Sequence, residues 1–347
     1  MLTAQSVMIC AHMSATEGQS AAHLKGPAEL VLAASIARRH YIDGRTKIEI
    51  ADEFRLSRFK VARLLEAARS SGLVRIEIGY SGTIDVALSS RLQEEFGLQH
   101  ALVVNTSDDH PASLRKSLGH AAAELLTEII AVNDVLGLAW ARSVQAMVGE
   151  LRRLPPIPVV QLTGALTSVH ETSSSIAGDS SIDIVREVAR KSGGPAHLFF
   201  APFLVADPAT ARALRRQPDL ARAFGKISSV SVAVVGIGYW APGQSTLYDA
   251  ATQREQARLR REGVCAEVAG VFLTAEGKVM ETSLNDRMIA INGAQMRSVP
   301  QLIAIPYGVA KRPAVLAALH SGLISALVTH SSLAEALLDG AAPTTGP

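Results

Sequence analysis

The sequence predicts a small helical domain closed by a strand, followed by a much larger α/β domain built on a mainly parallel sheet. Three observations carry this. Residues 29–78 hold three short amphipathic helical patterns and one alternating segment. From about Ile84 onward, continuously apolar strand patterns alternate with helical ones. Positive charge is also concentrated in the first region. Residues 55–75 carry Arg55, Arg58, Lys60, Arg63, Arg69 and Arg75 against one acid, Glu66, a local charge of +5. The whole chain has 34 basic and 32 acidic side chains, net +2, so everything else sums to −3.

In chain order, residues 1–27 are rich in Ser, Thr, Gly and Gln and read as a mobile tail. Residues 29–42, "ELVLAASIARRHYI", place apolar side chains at helical spacing, and "DGR" at 43–45 reads as a turn. Thr46 can N-cap the helix "KIEIADEF", with Glu49 three residues on completing a capping box. After the break "RLS", Ser57 can N-cap a third helix from Arg58 to Ser70. Val61, Leu64, Leu65 and Ala68 form its buried stripe, and Arg58, Phe59, Lys60 and Arg63 lie off it. Gly72 ends the helix, and "LVRIEI" (73–78) alternates like a strand.

Three helices with a tight break between the second and third, then a strand, make the winged helix-turn-helix pattern. In that geometry the third helix enters the DNA major groove N-terminus first. Charge alone fits a solvated basic face equally well; the order of elements favours DNA. Thr46, Lys47, Ser57, Arg58, Phe59, Lys60 and Arg63 are the expected DNA-facing residues.

The length of 347 residues predicts two domains, and 48% hydrophobic content can fill a substantial core. No run of about eighteen uncharged apolar residues reads as a membrane span, and the N-terminus lacks a charged segment followed by an apolar one. Cys10 and Cys265 have no CxxC neighbour, so a reducing cytoplasm is the simple expectation. The ten histidines are scattered without zinc spacing, and no metal or cofactor is expected.

In the α/β region, strands are predicted at 101–105, 135–139, 158–164, 196–202, 230–238, 264–273, 301–306 and 323–329. Helical patterns fall at 84–96, 112–130, 142–153, 181–192, 252–262, 312–321 and 332–339. Apolar strands separated by helices imply a mainly parallel sheet covered on both faces.

Ligands of such sheets bind beyond the carboxyl ends of the strands. Four strand ends here are rich in Gly or small polar residues. "GLAWARS" places Ser143 at a helix N-terminus, a natural phosphate seat. "QLTG" offers Thr163 and Gly164, "GIG" offers Gly236 and Gly238, and "IPYGVAKRP" places Lys311 just before a long helix. Any one of these reads as a tight βα turn; four in one sheet favour a small anionic ligand.

Together these residues resemble the SorC family of sugar-responsive bacterial transcriptional regulators, over roughly residues 28–340. The N-terminal part is similar to the family pattern at Tyr41, Gly44, Glu49, Ile50, Ala51, Phe54, Ser57, Arg58, Val61, Arg63, Leu64, Leu65, Ala68, Arg69, Gly72, Val74, Ile76 and Ile78. The remainder is similar in "GLAWARS", "VVQLTG", "FFAP", "VVGIG", "EVAGVFLTAEGKVM", "LNDRMIAI" and "GVAKRPAVLAALHSGLISALVT". The resemblance implies a sugar-phosphate isomerase/deaminase-like effector domain that binds a sugar or phosphosugar and assembles into dimers or tetramers. It implies that the turn Gly137–Ser143, with Trp140 and Arg142, surrounds the ligand with Thr163, Gly164, Gly236 and Gly238. Glu267 stands for the family's motif acid, and Lys311 would meet a phosphate or hydroxyl. Departures from the pattern are Ala141 and Ala165 for loop glycines, Glu267 for Asp, His330 for Asp, and Tyr307 at a position often Gly.

The expected organisation is a tail at 1–27, a DNA-binding domain at 28–79 and an effector and oligomerisation domain at 80–341. The expected function is control of a carbohydrate operon, with operator DNA and a sugar, sugar alcohol or sugar phosphate as partners. A sugar-phosphate isomerase or deaminase is the alternative, with Asp134, Asp249 and Glu267 as possible acids. The basic helical segment is unexplained by an isolated enzyme, so no catalytic residue is expected. RNA binding is disfavoured by an aromatic content of 4%.

Overall fold

The computed structural model describes residues 26–74, 83–106, 110–166 and 180–339. The chain divides into two compact units between Gly79 and Tyr80.

The N-terminal unit contains α1 (Pro27–Tyr41), α2 (Lys47–Phe54) and α3 (Arg58–Ser70). Pro27 opens α1, where its missing N–H costs nothing. The Thr46–Glu49 capping box forms as the spacing predicts, with the Glu49 amide donating to Thr46 Oγ1 and the Thr46 amide to Glu49 Oε2. Ser57 caps α3 by accepting the Lys60 amide at 3.2 Å. The break between α2 and α3 turns on Arg55, which sits in the left-handed region at φ 54°. Ala33, Ile36, Ile50, Val61, Leu64, Leu65 and Ala68 pack into one small core. The strand expected at 73–78 lies outside the described residues from Arg75 onward, as does the tail up to Lys25.

The second unit is built on a seven-stranded sheet of β1 (His100–Val104), β2 (Leu136–Leu138), β3 (Val159–Gln161), β4 (Ala196–His197), β5 (Val232–Val235), β10 (Gln301–Ala304) and β11 (Ala326–His330). Its order is β1-β11-β10-β5-β2-β3-β4, and every pairing is parallel. Alternate side chains feed two cores. Ala233, Val235, Leu302 and Ala304 point into one, and Val232, Val234, Ile303 and Val328 into the other. Both faces are therefore covered, and the strands read as unbroken apolar runs for that reason.

Two expected strands are corrected. The strand expected at 230–238 ends as β5 at Val235, and Gly238 pairs in another sheet. Residues 264–273 do not form one strand. They fold as a hairpin of β7 (Ala266–Val268) and β8 (Val271–Leu273), turning on Ala269 (φ 49°) and Gly270 (φ 89°). With β6 (Gly238–Tyr239) and β9 (Val279–Met280) this hairpin makes a separate antiparallel sheet, in the order β6-β7-β8-β9. The turn was hidden because "VAGV" offers one glycine between apolar residues rather than a polar pair. Helices at Pro208–Arg215, Pro218–Ile227, Thr246–Ala250 and Gly293–Arg297 were also not expected. The first, second and third are announced by Asp207, a Gln-Pro step and Ser245 in their capping positions.

Candidate effector cleft and basic helix

The strands whose ends carry Gly and small polar residues are β2, β3, β5 and β10, and in the sheet they are consecutive: β10-β5-β2-β3. Parallel pairing brings their carboxyl ends to one edge, where they surround a cleft with about 890 Å³ of empty space including its mouth. Residues 139–143 follow β2, Thr163 and Gly164 follow β3, 236–238 follow β5, and Ile305, Tyr307 and Lys311 follow β10. Glu267 of the second sheet and Gln244, Ser245 and Asp249 of the 243–249 segment also line the cleft.

One wall is cationic. The helix Arg142–Glu150 starts at the cleft, so Arg142 and the buried Ser143 occupy its first two positions. Its cap, Ala141, supplies no side-chain acceptor. Lys311, half-buried, donates from Nζ to the Ile237 carbonyl at 2.9 Å and stands 5.4 Å from the centre of the Tyr307 ring. Arg115 lies 5.6 Å from the same ring, which therefore serves two cations. Burial pulls the Lys311 ammonium down to about 8, with Arg142 adding to the effect and Glu267 opposing it.

The adjoining wall accepts hydrogen bonds. Glu267 Oε1 takes the Ser245 hydroxyl at 2.9 Å, and Oε2 takes the Gly270 amide at 3.1 Å. Burial pushes this carboxyl up, against the pull of the Gly270 amide, Ser245 and Lys311. Ser245 also receives the Tyr248 amide as a helix cap, which holds it against the carboxylate. Glycines let these elements approach. A Cβ on Gly238 would stand 2.2 Å from Glu267 Oε1, and one on Gly236 would stand 2.6 Å from the Ala141 Cβ.

Of the ten residues expected at an effector site, nine line this cleft: Trp140, Arg142, Ser143, Thr163, Gly164, Gly236, Gly238, Glu267 and Lys311. Gly137 does not. It sits mid-strand in β2, where an added Cβ would meet Val230 and Leu162. Sequence reasoning missed Gln244 and Ser245 as wall residues; the run "GQST" before a helix was the available signal. His330 Nε2 accepts the Gly308 amide at 3.0 Å. Of the possible catalytic acids, Asp134 is remote. It precedes β2 at the opposite end of the strand, accepting from Ser231 Oγ and the Ala131 amide. No group of three or more potential metal ligands occurs among the described residues.

In the N-terminal unit, Thr46, Lys47, Ser57, Arg58, Phe59 and Arg63 are exposed. Lys60 differs: its Nζ pairs with Glu29 Oε1 of α1 at 2.9 Å, so its ammonium is engaged inside the unit.

A family model described as "Putative sugar-binding domain" matches residues 82–339. The sorbitol operon regulator of Klebsiella pneumoniae is 26% identical over 318 residues, covering 89% of this chain and 98% of that protein. The erythritol catabolism regulatory protein EryD of Brucella abortus is 27% identical over 312 residues, covering 88% and 96%. The crystal structure of the full-length sorbitol operon regulator from Klebsiella pneumoniae superposes with a TM-score of 0.69 at 24% identity, covering 90% of this chain and all of that one.

Proposed function

This chain belongs to the sugar-binding domain family and to the SorC family of sugar-responsive regulators, and from that premise we propose how it works: a winged helix-turn-helix at 28–79 grips operator DNA, and a ligand in the cleft of the isomerase-like domain at 80–341 sets the grip. It is a regulator of transcription rather than an enzyme, as its curated relatives are.

The observation that carries the reading is the pairing of two unlike walls in one cleft. Arg142, Lys311 and a helix N-terminus favour an anionic group through charge and donated hydrogen bonds. Glu267, Gln244 and Asp249 offer acceptors suited to sugar hydroxyls. A sugar, sugar alcohol or sugar phosphate satisfies both, and its phosphate would lie at the Lys311 wall.

On the DNA side, the N-terminus of α3 and that of α2 would face the duplex, with Thr46, Lys47, Ser57, Arg58, Phe59 and Arg63 at the contact. Lys60 is assigned to holding α1. One such unit covers a half-site, so the protein would act as a dimer or tetramer assembled through residues 80–341, in the cytoplasm.

A thermal-shift screen of sugars, polyols and their phosphates, followed by operator binding with each hit, tests this. A stabilising compound that changes operator affinity supports it. Stabilisation by none, or a hit without effect on DNA binding, refutes the sensor role. Light scattering should give at least a dimer.

A further inference from the structure

Phe59 is 87% exposed, the most exposed large hydrophobic side chain among the described residues. Single exposed apolar residues are ordinary on protein surfaces; the surroundings of this one are not. It is the second residue of α3, directly after Arg58 and beyond the cap at Ser57. It takes no part in the core that Val61, Leu64 and Leu65 build from the same helix. Lys60 is drawn back to Glu29, so the exposed front of the first turn consists of Arg58 and Phe59. Arg63, four residues on, is exposed on the same side of the helix.

We propose that Phe59 reads sequence, by packing its ring on the C5-methyl group of a thymine in the major groove. This rests on the DNA-binding reading of α3. A ring has no hydrogen-bond group for a base edge, and the thymine methyl is the apolar feature the major groove displays. The flanking arginines supply phosphate or guanine contacts and bring the ring against the groove floor. Arg63 lies one helical turn, about 5.4 Å, farther along, against about 3.4 Å per base pair.

The test is selection from a random-sequence duplex pool by the full-length protein, wild type against Phe59→Ala and Phe59→Leu. Each thymine of the enriched motif is then replaced singly by deoxyuridine, which lacks only the methyl. At one position the wild type should lose about fourfold in affinity, the worth of one buried methyl. Phe59→Ala should bind that duplex with thymine or uracil equally and should no longer enrich thymine there. Phe59→Leu, still apolar, should keep part of the preference. All three proteins should melt alike, because the side chain is 87% exposed and lies outside the core. If Phe59→Ala enriches the wild-type motif and keeps its sensitivity to deoxyuridine, the inference is overturned while DNA binding stands. If the wild type enriches no motif, the DNA reading fails and the inference with it.

Discussion

Lys60 Nζ stands 2.9 Å from Glu29 Oε1, tying the first turn of α3 to the first turn of α1. The side chains are 30% and 19% exposed, so solvent screens the pair and its worth is about 0.5–1 kcal/mol. Lys60→Ala should therefore lower the melting temperature by a few degrees, and high salt should narrow the difference. Arg58→Ala, with no packing to lose, should melt as wild type does. Identical melting of the two variants in calorimetry would show that the pair contributes nothing.

Arg58 and Arg63 are exposed on α3. Removing either should weaken operator binding and flatten the dependence of log K on log salt by roughly one unit for each phosphate that is no longer neutralised. Lys60→Ala should leave that slope nearly unchanged, because its ammonium is already engaged. Fluorescence anisotropy with an operator duplex across a salt series separates the three. A flattening in Lys60→Ala equal to that in Arg58→Ala would return Lys60 to the DNA.

Lys311→Met should abolish the effector's influence on DNA binding while operator affinity without effector stays near wild type, since the substitution lies in the other unit. A wild-type response at wild-type effector concentrations would exclude Lys311 from the site.

The pH dependence follows from the same lysine. Folded, it loses its proton near pH 8; unfolded, near its ordinary 10.5. Between those values the unfolded chain binds more protons, so this group makes stability rise with pH. Lys311→Met should lack that rise. Affinity for an anionic effector runs the opposite way, because it needs the charged ammonium. It should fall above about pH 8, by up to about tenfold per unit. Isothermal titration from neutral to alkaline pH checks the sign.

Gly236 and Ala141 are coupled by contact: a Cβ on Gly236 would lie 2.6 Å from the Ala141 Cβ. Gly236→Ala should cost about 1–3 kcal/mol by overpacking and weaken effector binding, and adding Ala141→Gly should recover most of both. Failure of the second change to rescue the first would mean that the clash is relieved elsewhere.

Local signals decided the helices of the N-terminal unit and the parallel sheet. The Thr46–Glu49 box and the Ser57 cap act within three residues, and unbroken apolar runs such as 232–235 record burial on both faces. These interactions are near in sequence, so the sequence displays them. The four strand ends rich in Gly and small polar residues were also legible one by one. That they form one site was decided by strand order, which places β10, β5, β2 and β3 side by side although residues 139 and 305 are far apart in the chain. Tertiary packing also removed Gly137 from the site, since its period-two position on β2 faces Val230 and Leu162. It paired Lys60 with Glu29, 31 residues away. And it brought Glu267 to the cleft on a hairpin whose turn, Ala269–Gly270, carries almost no local signature. A charge or a glycine in a sequence marks what a residue can do; which neighbour it does it to depends on long-range contacts that only the folded chain makes.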